Sequence, residues 1–247
     1  MSPAFEIPAD SRLFTGHFPG RPILPGIAHL ALALSGAALR EVQSLKLRRP
    51  AGPGDTLDLL AGDPDSGGLV RFELRRGEEP VSQGVVRLAP ADWNEASVED
   101  WPEPVLDLLG DFPPVELLIP HGPPARLVSG VVEATAEGIV CRAEVPRDHP
   151  LVEGGSAPCF LGIEAAAQAA AVLEALGRRA APGPRIGYLV GIRDARFEVP
   201  RLPAGLPFRA TVRLHGSAPP LSIYQVTLEG AGGPVLAATI STYILAE

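Results

Sequence analysis

The sequence predicts an α+β protein built from two similar units, each an antiparallel sheet wrapped around one apolar helix. Short segments of alternating apolar and polar residues recur between turn-rich segments, which is typical of antiparallel strands. Two Ala- and Leu-rich stretches, residues 27–40 and 159–176, are apolar on nearly every face and predict helices surrounded by protein. The order of elements around the first stretch recurs around the second, which indicates an internal duplication.

Composition narrows the class of protein. The chain has 247 residues, enough for one large domain or two ordinary ones, and 46% of them are hydrophobic. A net charge of −8 argues against a nucleic-acid partner, because phosphate contacts need a basic face. Only two cysteines occur, which favours a reducing, cytoplasmic setting, and no secretory leader is visible. Neither apolar stretch is typical of a membrane span, since each is too short or carries Glu and Gln.

The first unit is expected over residues 1–90. It opens with a short strand near Phe5–Pro8, followed by a proline-rich loop over residues 16–26 and the first helix. Alternation between turn signals then predicts four strands, near residues 42–49, 56–60, 69–75 and 81–88.

Residues 91–114 differ from both flanks and are expected to form a linker. They combine acidic residues and prolines with Trp93 and Trp101, and a short helix is expected at Val105–Leu109. We expect the two tryptophans to pin this linker to the surface.

The second unit is expected over residues 115–247 and repeats the pattern of the first. Val145-Pro146-Arg147-Asp148 echoes Ile7-Pro8-Ala9-Asp10, and the second helix follows a proline, Pro158, as the first follows Pro25. The block at residues 194–206 echoes the one at 45–57, and strands are expected near residues 208–214, 222–228 and 235–245.

The loop over residues 16–26 carries the first candidate for chemistry. His17 lies among three prolines that each fix a backbone φ, so we expect a rigid loop with a partly packed histidine. Gly26 stands where the helix begins, and its backbone N–H is a candidate oxyanion donor. A proline-rich turn with a solvent-facing histidine is the structural alternative.

GHFPGRPILPGI, residues 16–27, resembles the signature of the 3-hydroxyacyl-acyl-carrier-protein dehydratases. The similarity extends back to Phe5, and residues 45–57 resemble the strand and turn that follow the family's helix. The resemblance implies the hot-dog fold, here as a double hot dog. In that family, the histidine works with a carboxylate on the central helix of the partner hot dog.

The two copies differ at the positions that matter for this resemblance. Six residues after Pro158 stands Glu164, with Gln168 one helical turn later, and this pattern resembles the family's catalytic acid and glutamine. The same count from Pro25 reaches Ala31, so the first copy lacks the acid.

The second copy in turn lacks the histidine. Gly155 falls opposite His17, and Ser35 stands where the first copy would carry the glutamine. The resemblance therefore implies that His17 and Glu164 meet in one composite site, and that the pseudo-symmetric site near Ala31 and Gly155 is inactive.

The resemblance also implies a role for each site residue. His17 would remove the C2 proton, Glu164 would protonate the leaving C3 hydroxyl, and Gln168 would orient Glu164. Gly26 would bind the thioester carbonyl, with Phe18 and Pro25 beside the substrate, and neither cofactor nor metal is implied. Three other histidines are assigned structural or surface positions: His29 and His121 structural, His215 facing solvent.

The implied partner is an acyl carrier protein with a pantetheine-linked substrate. Candidate docking residues are Arg21, Lys46, Arg48 and Arg49, and their second-copy counterparts are Arg193, Arg196 and Arg201. A half with GHFPxxPILPG joined to a half with GIExxxQ resembles the two dehydratase components of aryl polyene pathways, here fused. A polyene or fatty-acid-like substrate follows, with further dimerisation or association with a synthase as an additional expectation.

Two other functions remain open at this stage. The same fold hosts acyl thioesterases, which release a free thiol where a dehydratase leaves the thioester intact. A non-catalytic subunit that binds a partner dehydratase is the second alternative, because each copy has lost one catalytic group.

Overall fold

The computed structural model describes residues 3–18, 20–34, 36–90, 93, 111–178, 184–230 and 232–245. The predicted linker helix at Val105–Leu109, the residue Trp101 and the glutamine counterpart Ser35 lie outside these ranges. The predicted boundaries at residues 90 and 115 remain predictions.

Within the described residues, the first half contains five strands and one helix: β1 (Ala4–Glu6), α1 (Ala28–Leu34), β2 (Leu39–Leu47), β3 (Thr56–Ala61), β4 (Leu69–Arg76) and β5 (Glu79–Leu88). The part of the second half that the structure describes contains eight strands and one helix: β6 (Val128–Ala134), β7 (Gly138–Glu144), β8 (Ser156–Pro158), α2 (Leu161–Gly177), β9 (Gly187–Phe197), β10 (Arg201–Pro203), β11 (Pro207–Ala218), β12 (Leu221–Gly230) and β13 (Gly233–Ile244). Single 3₁₀ turns lie at Arg12–Phe14 and Val115–Leu117.

Eleven of the described strands form one antiparallel sheet in the order β1-β3-β4-β5-β2-β9-β13-β12-β11-β7-β6. The order in the first half, 1-3-4-5-2, is mirrored by 9-13-12-11-7 in the second, with β6 added at the edge. The halves join where β2 pairs with β9, with Leu45 opposite Ile192. The predicted double hot dog is confirmed.

Matching hydrogen bonds show that the two halves are copies. Gly54 donates its N–H to the carbonyl of Ile7, and Gly205 donates to the carbonyl of Val145, both over 2.8 Å. Both glycines have a left-handed φ, +80° and +79°, which glycine adopts without a steric penalty. In each copy, a turn beyond the helix and the strand that follows it thus bonds to the residue just after the matching strand, β1 or β7, as the sequence repeat predicts.

Helix α2 is the centre of the second half. Twelve of its 17 residues are buried, because the sheet curves around it. At Gly162, a Cβ atom would come within 2.6 Å of the Leu228 side chain and 2.7 Å of Leu236, so glycine allows the sheet to approach closely. No helix among the described residues is long and apolar enough to cross a bilayer.

The first helix is shorter than predicted. The apolar stretch over residues 27–40 predicts a helix of that length, but α1 covers only Ala28–Leu34. Gly36 adopts φ +89° and Ala37 donates its N–H to the carbonyl of Leu34, an arrangement that ends a helix. The chain then pairs as β2 from Leu39, since strand pairing in the sheet outweighs the helix propensity of Ala and Leu.

Among the described residues of the predicted linker, Trp93 has a defined contact. Trp93 packs against the core, and the Arg40 guanidinium lies 4.9 Å from its ring centroid, a cation–π distance. This contact agrees with the expectation that tryptophan pins the linker to the surface.

Candidate active site

A cavity of about 320 Å³ lies between the two halves, and both contribute to its wall. Predicted site residues that line it are His17, Phe18 and Gly26 from the first half and Glu164 and Gln168 from the second. Apolar side chains from α2 and β9 form much of the remaining wall, among them Ala167, Ala170, Ala171, Leu189 and Val190. An apolar chamber with a few polar groups is typical of small-molecule sites.

His17 is held in one tautomer. Its Nδ1 lies 2.8 Å from the carbonyl oxygen of Ile23, so Nδ1 carries the proton and donates, leaving Nε2 as a base. The side chain is only 6% exposed, so the expectation of a partly packed histidine was wrong: the loop folds over it. Burial lowers the His17 pKa to about 4, although the Ile23 hydrogen bond acts in the opposite direction.

Two of the left-handed residues in the histidine loop flank His17 directly. Gly16 has φ +77°, and a Cβ there would overlap the Gly122 carbonyl, so only glycine fits this approach between the halves. Phe18 has φ +54°, uncommon for a bulky residue, while its ring packs 4.3 Å from the His17 ring. Strained backbone of this kind persists where the surroundings hold it, often at functional sites.

Glu164 lies in the first turn of α2, where Gln168 fixes it. The Gln168 amide donates to the Ala125 carbonyl over 2.8 Å and to Glu164 Oε1 over 3.4 Å, and its oxygen accepts from Leu127 N–H over 2.8 Å. The glutamine therefore ties the acid to the segment that precedes β6. Burial raises the Glu164 pKa to about 7, although the bond from Gln168 acts to lower it.

His121 joins these two residues, although the sequence assigned it only a structural role. Its Nε2 lies 3.6 Å from Glu164 Oε1, and its ring centroid lies 5.4 Å from that of His17. One titratable atom from each of His17, His121 and Glu164 lies within 4.8 Å of the others. In the sequence, residues 118–121 resemble the opening strand of the same dehydratases and His121 matches a histidine near it, but no spacing linked His121 to the site.

Two imidazoles and a carboxylate at these distances are also a donor set that a divalent cation accepts. Spacing along the chain did not predict this convergence, because residues 17, 121 and 164 come from three distant segments. Burial lowers the pKa of His17 and His121 and raises that of Glu164, so the set also has the perturbed pKa values that are common among acid–base groups of functional sites.

The other predicted site residues occupy different positions. Gly26 lies in the turn before α1, beside Leu47 and Leu189, and its N–H has no hydrogen-bond partner within the described ranges. Pro25 lies outside the main cavity and lines a small neighbouring one with His17 and Glu164. Ala31 and Gly155 line neither of these two cavities.

The proposed docking residues separate into two groups. Arg48 and Arg49 line the main cavity, whereas Arg21 and Lys46 are exposed and line neither cavity. Among the second-copy counterparts, Arg193 and Arg196 are exposed. Arg201 has a structural position, because it donates to the Ser156 hydroxyl over 2.7 Å and to the Glu153 carbonyl over 3.1 Å.

The remaining histidines agree with their expected environments. His29 lines the cavity, but its Nδ1 lies 3.0 Å from the Ser82 hydroxyl, which gives it a structural partner. His215 is exposed on β11. Both cysteines, Cys141 and Cys159, are buried free thiols.

Comparison with protein families assigns a different match to each half. The ApeI-like family, described as ApeI dehydratase, matches residues 1–85. The ApeP-like family, described as ApeP dehydratase, matches residues 113–246, more than half of the chain.

Curated relatives carry the name 3-hydroxyacyl-[acyl-carrier-protein] dehydratase FabZ. The protein from Anaeromyxobacter sp. (strain K) is 36% identical over 108 residues, covering 41% of this chain and 67% of that one. The protein from Thermus thermophilus is 37% identical over 89 residues, covering 28% of this chain and 63% of that one. The chain thus spans about two thirds of the length of these relatives.

Solved structures share the fold. The dehydratase domain of the polyketide PpsC from Mycobacterium tuberculosis matches with a TM-score of 0.67 and 18% identity, covering 99% of this chain and 92% of that one. The dehydratase heterocomplex ApeI:P from Xenorhabdus doucetiae gives a TM-score of 0.50 and 24% identity, covering 55% and 93%. A putative thioesterase from Novosphingobium aromaticivorans gives a TM-score of 0.59 and 18% identity, covering 99% of this chain and 95% of that one. At these identities the structures show the fold alone.

Proposed function

The chain belongs to the hot-dog dehydratases, joining an ApeI-like half to an ApeP-like half, and on this premise we propose that it dehydrates 3-hydroxyacyl thioesters carried on an acyl carrier protein. The product is a trans-2-enoyl thioester, formed at a single composite site. The observation that carries this proposal is the convergence of His17 from the first half and Glu164 from the second in one cavity.

Burial places the two groups in the protonation states that dehydration needs. With ordinary pKa values of 6.5 for histidine and 4.5 for glutamate, a neutral base and a protonated acid would rarely coexist. Here the His17 pKa falls to about 4 and the Glu164 pKa rises to about 7, because each ionised form loses hydration in the cavity wall. The base is therefore unprotonated and the acid protonated throughout the interval between these values.

The reaction uses these states directly. His17 Nε2 takes the proton from C2, and the electron pair of that C–H bond forms the C2=C3 double bond. The C3–O bond breaks as Glu164 donates its proton to the leaving hydroxyl, so water departs. The proton on His17 then returns to Glu164, and the free enzyme is restored without a cofactor.

Gly26 is the proposed donor to the thioester carbonyl. Its N–H has no protein partner within the described ranges, and the residue lines the cavity at the end of the loop that carries His17. A donor aimed at this oxygen stabilises the enolate-like charge that develops when the C2 proton leaves. Phe18 and the apolar wall exclude water from the reacting carbons.

The proposed substrate is a fatty-acid-like or polyene acyl chain on phosphopantetheine. In this proposal the acyl chain lies against the apolar part of the cavity wall, which Ala167, Ala170 and Ala171 of α2 form with Leu189 and Val190 of β9. Arg48 and Arg49 at the cavity wall are the docking residues we favour for an acidic carrier protein. The free cysteines favour a cytoplasmic location for the reaction.

The test is turnover of a 3-hydroxyacyl carrier protein followed by intact-protein mass spectrometry. Dehydration removes one water from the carrier-bound acyl group, and the enoyl product absorbs in the ultraviolet. Loss of the whole acyl group with release of the carrier thiol would identify a thioesterase instead. An unchanged substrate with purified protein and every chain length tried would favour the non-catalytic subunit.

A further inference from the structure

His121 has an unusual environment for a buried histidine. The residue is 8% exposed, and within the described ranges its Nδ1 has no hydrogen-bond partner. Its Nε2 lies 3.6 Å from Glu164 Oε1, just beyond hydrogen-bond distance. Because buried polar atoms are nearly always paired, an unpaired imidazole in the wall of this cavity needs an explanation.

The surroundings select one tautomer of His121. Burial and the nearby His17 lower the His121 pKa to about 3, so the ring is neutral and carries one N–H. Nε2 has a carboxyl oxygen close by, whereas Nδ1 has no acceptor among the described residues. The tautomer with the proton on Nε2 therefore pairs more polar groups.

Two N–H groups then face the same oxygen of Glu164. Gln168 Nε2 donates to Oε1 over 3.4 Å, and His121 Nε2 approaches that oxygen from another element. Glu164 Oε2 has no hydrogen-bond partner in the described part of the chain. A protonated carboxyl whose Oε1 already faces two donors keeps its own proton on Oε2, the oxygen left for the substrate.

We propose that His121 is a positioning residue that, together with Gln168, holds Oε1 of Glu164 as an acceptor and so keeps the acid's proton on Oε2, facing the leaving hydroxyl. The 3.6 Å gap closes to a hydrogen bond when substrate fills the cavity, since catalytic contacts are often longer in an empty site. This inference rests on the proposed dehydration.

The other groups around Glu164 leave this role to His121. His17 faces the acid across the cavity, and His149 shares the small neighbouring cavity with it. Burial lowers the pKa of both histidines to about 4, so neither brings a charge to the carboxyl near neutral pH.

Three substitutions separate the possible roles. H121Q keeps an amide N–H near the position of Nε2, H121N offers one only near Nδ1, and H121F keeps a packed ring without a donor. We expect kcat to fall by roughly 10- to 100-fold in H121F and H121N and to recover largely in H121Q, because Glu164 becomes a carboxylate as it gives up its proton and a hydrogen bond to a charged group contributes more than one to a neutral group. KM should change by less than about threefold, because binding of the thioester does not use this contact.

The pH profile gives a second readout. Removing a donor from the carboxylate favours its neutral form, so the alkaline limb of kcat/KM should move up by about one pH unit in H121F and stay in place in H121Q. Assays contain a chelator, so that a bound cation does not contribute. A wild-type kcat and profile in H121F, or an H121Q variant as impaired as H121F, overturns the proposal.

A measurement without turnover separates this inference from the proposed function. Isotope-edited infrared titration of ¹³C-labelled glutamate, with E164Q as the reference spectrum, reports the protonation of Glu164 alone. If wild-type protein dehydrates no substrate, the proposed function fails, yet a higher Glu164 pKa in H121F than in H121Q still supports the contact. Equal pKa values of Glu164 in wild type, H121Q and H121F refute it.

Discussion

Gly122 donates its backbone N–H to the carbonyl oxygen of Gly16 over 2.8 Å, and this bond joins the loop that carries His121 to the loop that carries His17. The two glycines belong to different halves of the chain. Each precedes or follows its histidine directly, so the bond fixes the separation of the two imidazoles. The composite site therefore depends on a backbone contact between the copies as well as on the pairing of β2 with β9.

Substitution of Gly16 should break this contact. In G16A the new Cβ overlaps the Gly122 carbonyl, a backbone atom that has little room to move. Gly20 is the matched control, because it lies in the same loop at φ +81° with open space around its Cβ. Left-handed alanine costs roughly 1–2 kcal/mol, so G20A should lose about that much stability and G16A clearly more, measured by urea unfolding. Equal losses would show that the approach of the two loops does not constrain Gly16.

The catalytic pair should behave as one unit. H17N keeps a donor for the Ile23 carbonyl and removes the Nε2 base, so activity should fall on the order of 10²–10⁴-fold while the loop stays folded. E164Q removes the acid and should lose activity to a similar degree. The double variant should be little worse than the more impaired single variant, because groups that act together are non-additive. H215N, at an exposed histidine, is the control. If the fold-loss of the double variant equals the product of the two single fold-losses, His17 and Glu164 act independently and the paired mechanism is wrong.

Much of this architecture is readable in the sequence. The repeat, the position of α2 and the assignment of His17 and Glu164 to different copies follow from motifs whose residues lie close together along the chain. The length of α1 was overpredicted, because its end is set by Gly36 in the left-handed region and by strand pairing from Leu39. His121 was assigned to structure alone, since its place beside Glu164 arises from contacts between distant segments. Burial of His17 was missed for the same reason.

Activity should have a bell-shaped dependence on pH. His17 must be unprotonated and Glu164 protonated, and their pKa values are about 4 and about 7. We expect kcat/KM to be highest between these values, to fall below the first as His17 takes a proton, and to fall above the second as Glu164 loses one. An optimum well above about pH 8 would exclude Glu164 as the general acid.

Glu164 should also lower the stability of the fold as the pH rises. Its pKa is about 7 in the folded protein and about 4.5 as an ordinary glutamate, so the folded state binds more protons between these values. The contribution of Glu164 to the free energy of unfolding is therefore at its maximum below pH 4.5 and declines as the pH rises through about 7. E164Q removes the effect, so its stability relative to wild type should grow across this window, by on the order of 3 kcal/mol at most. The buried histidines are present in both proteins, so their contributions cancel in the comparison of E164Q with wild type. If the difference in unfolding free energy between the two proteins does not change with pH, Glu164 is not desolvated.

Carrier-protein docking should depend on Arg48 more than on Lys46. Both are exposed and stand two residues apart, but only Arg48 lines the cavity. Reversing its charge in R48E should raise KM for a carrier-bound substrate roughly tenfold at low salt, since an acidic partner then meets a like charge at the entrance. The K46E variant carries the same change in net charge and should differ little from wild type. A short pantetheine thioester lacks the carrier surface, so R48E should use it nearly as well as wild type does, and added salt should narrow the difference seen with the carrier. If K46E and R48E impair the carrier-bound substrate equally, docking follows net charge, and the assignment of the cavity-lining arginine to the interface is wrong.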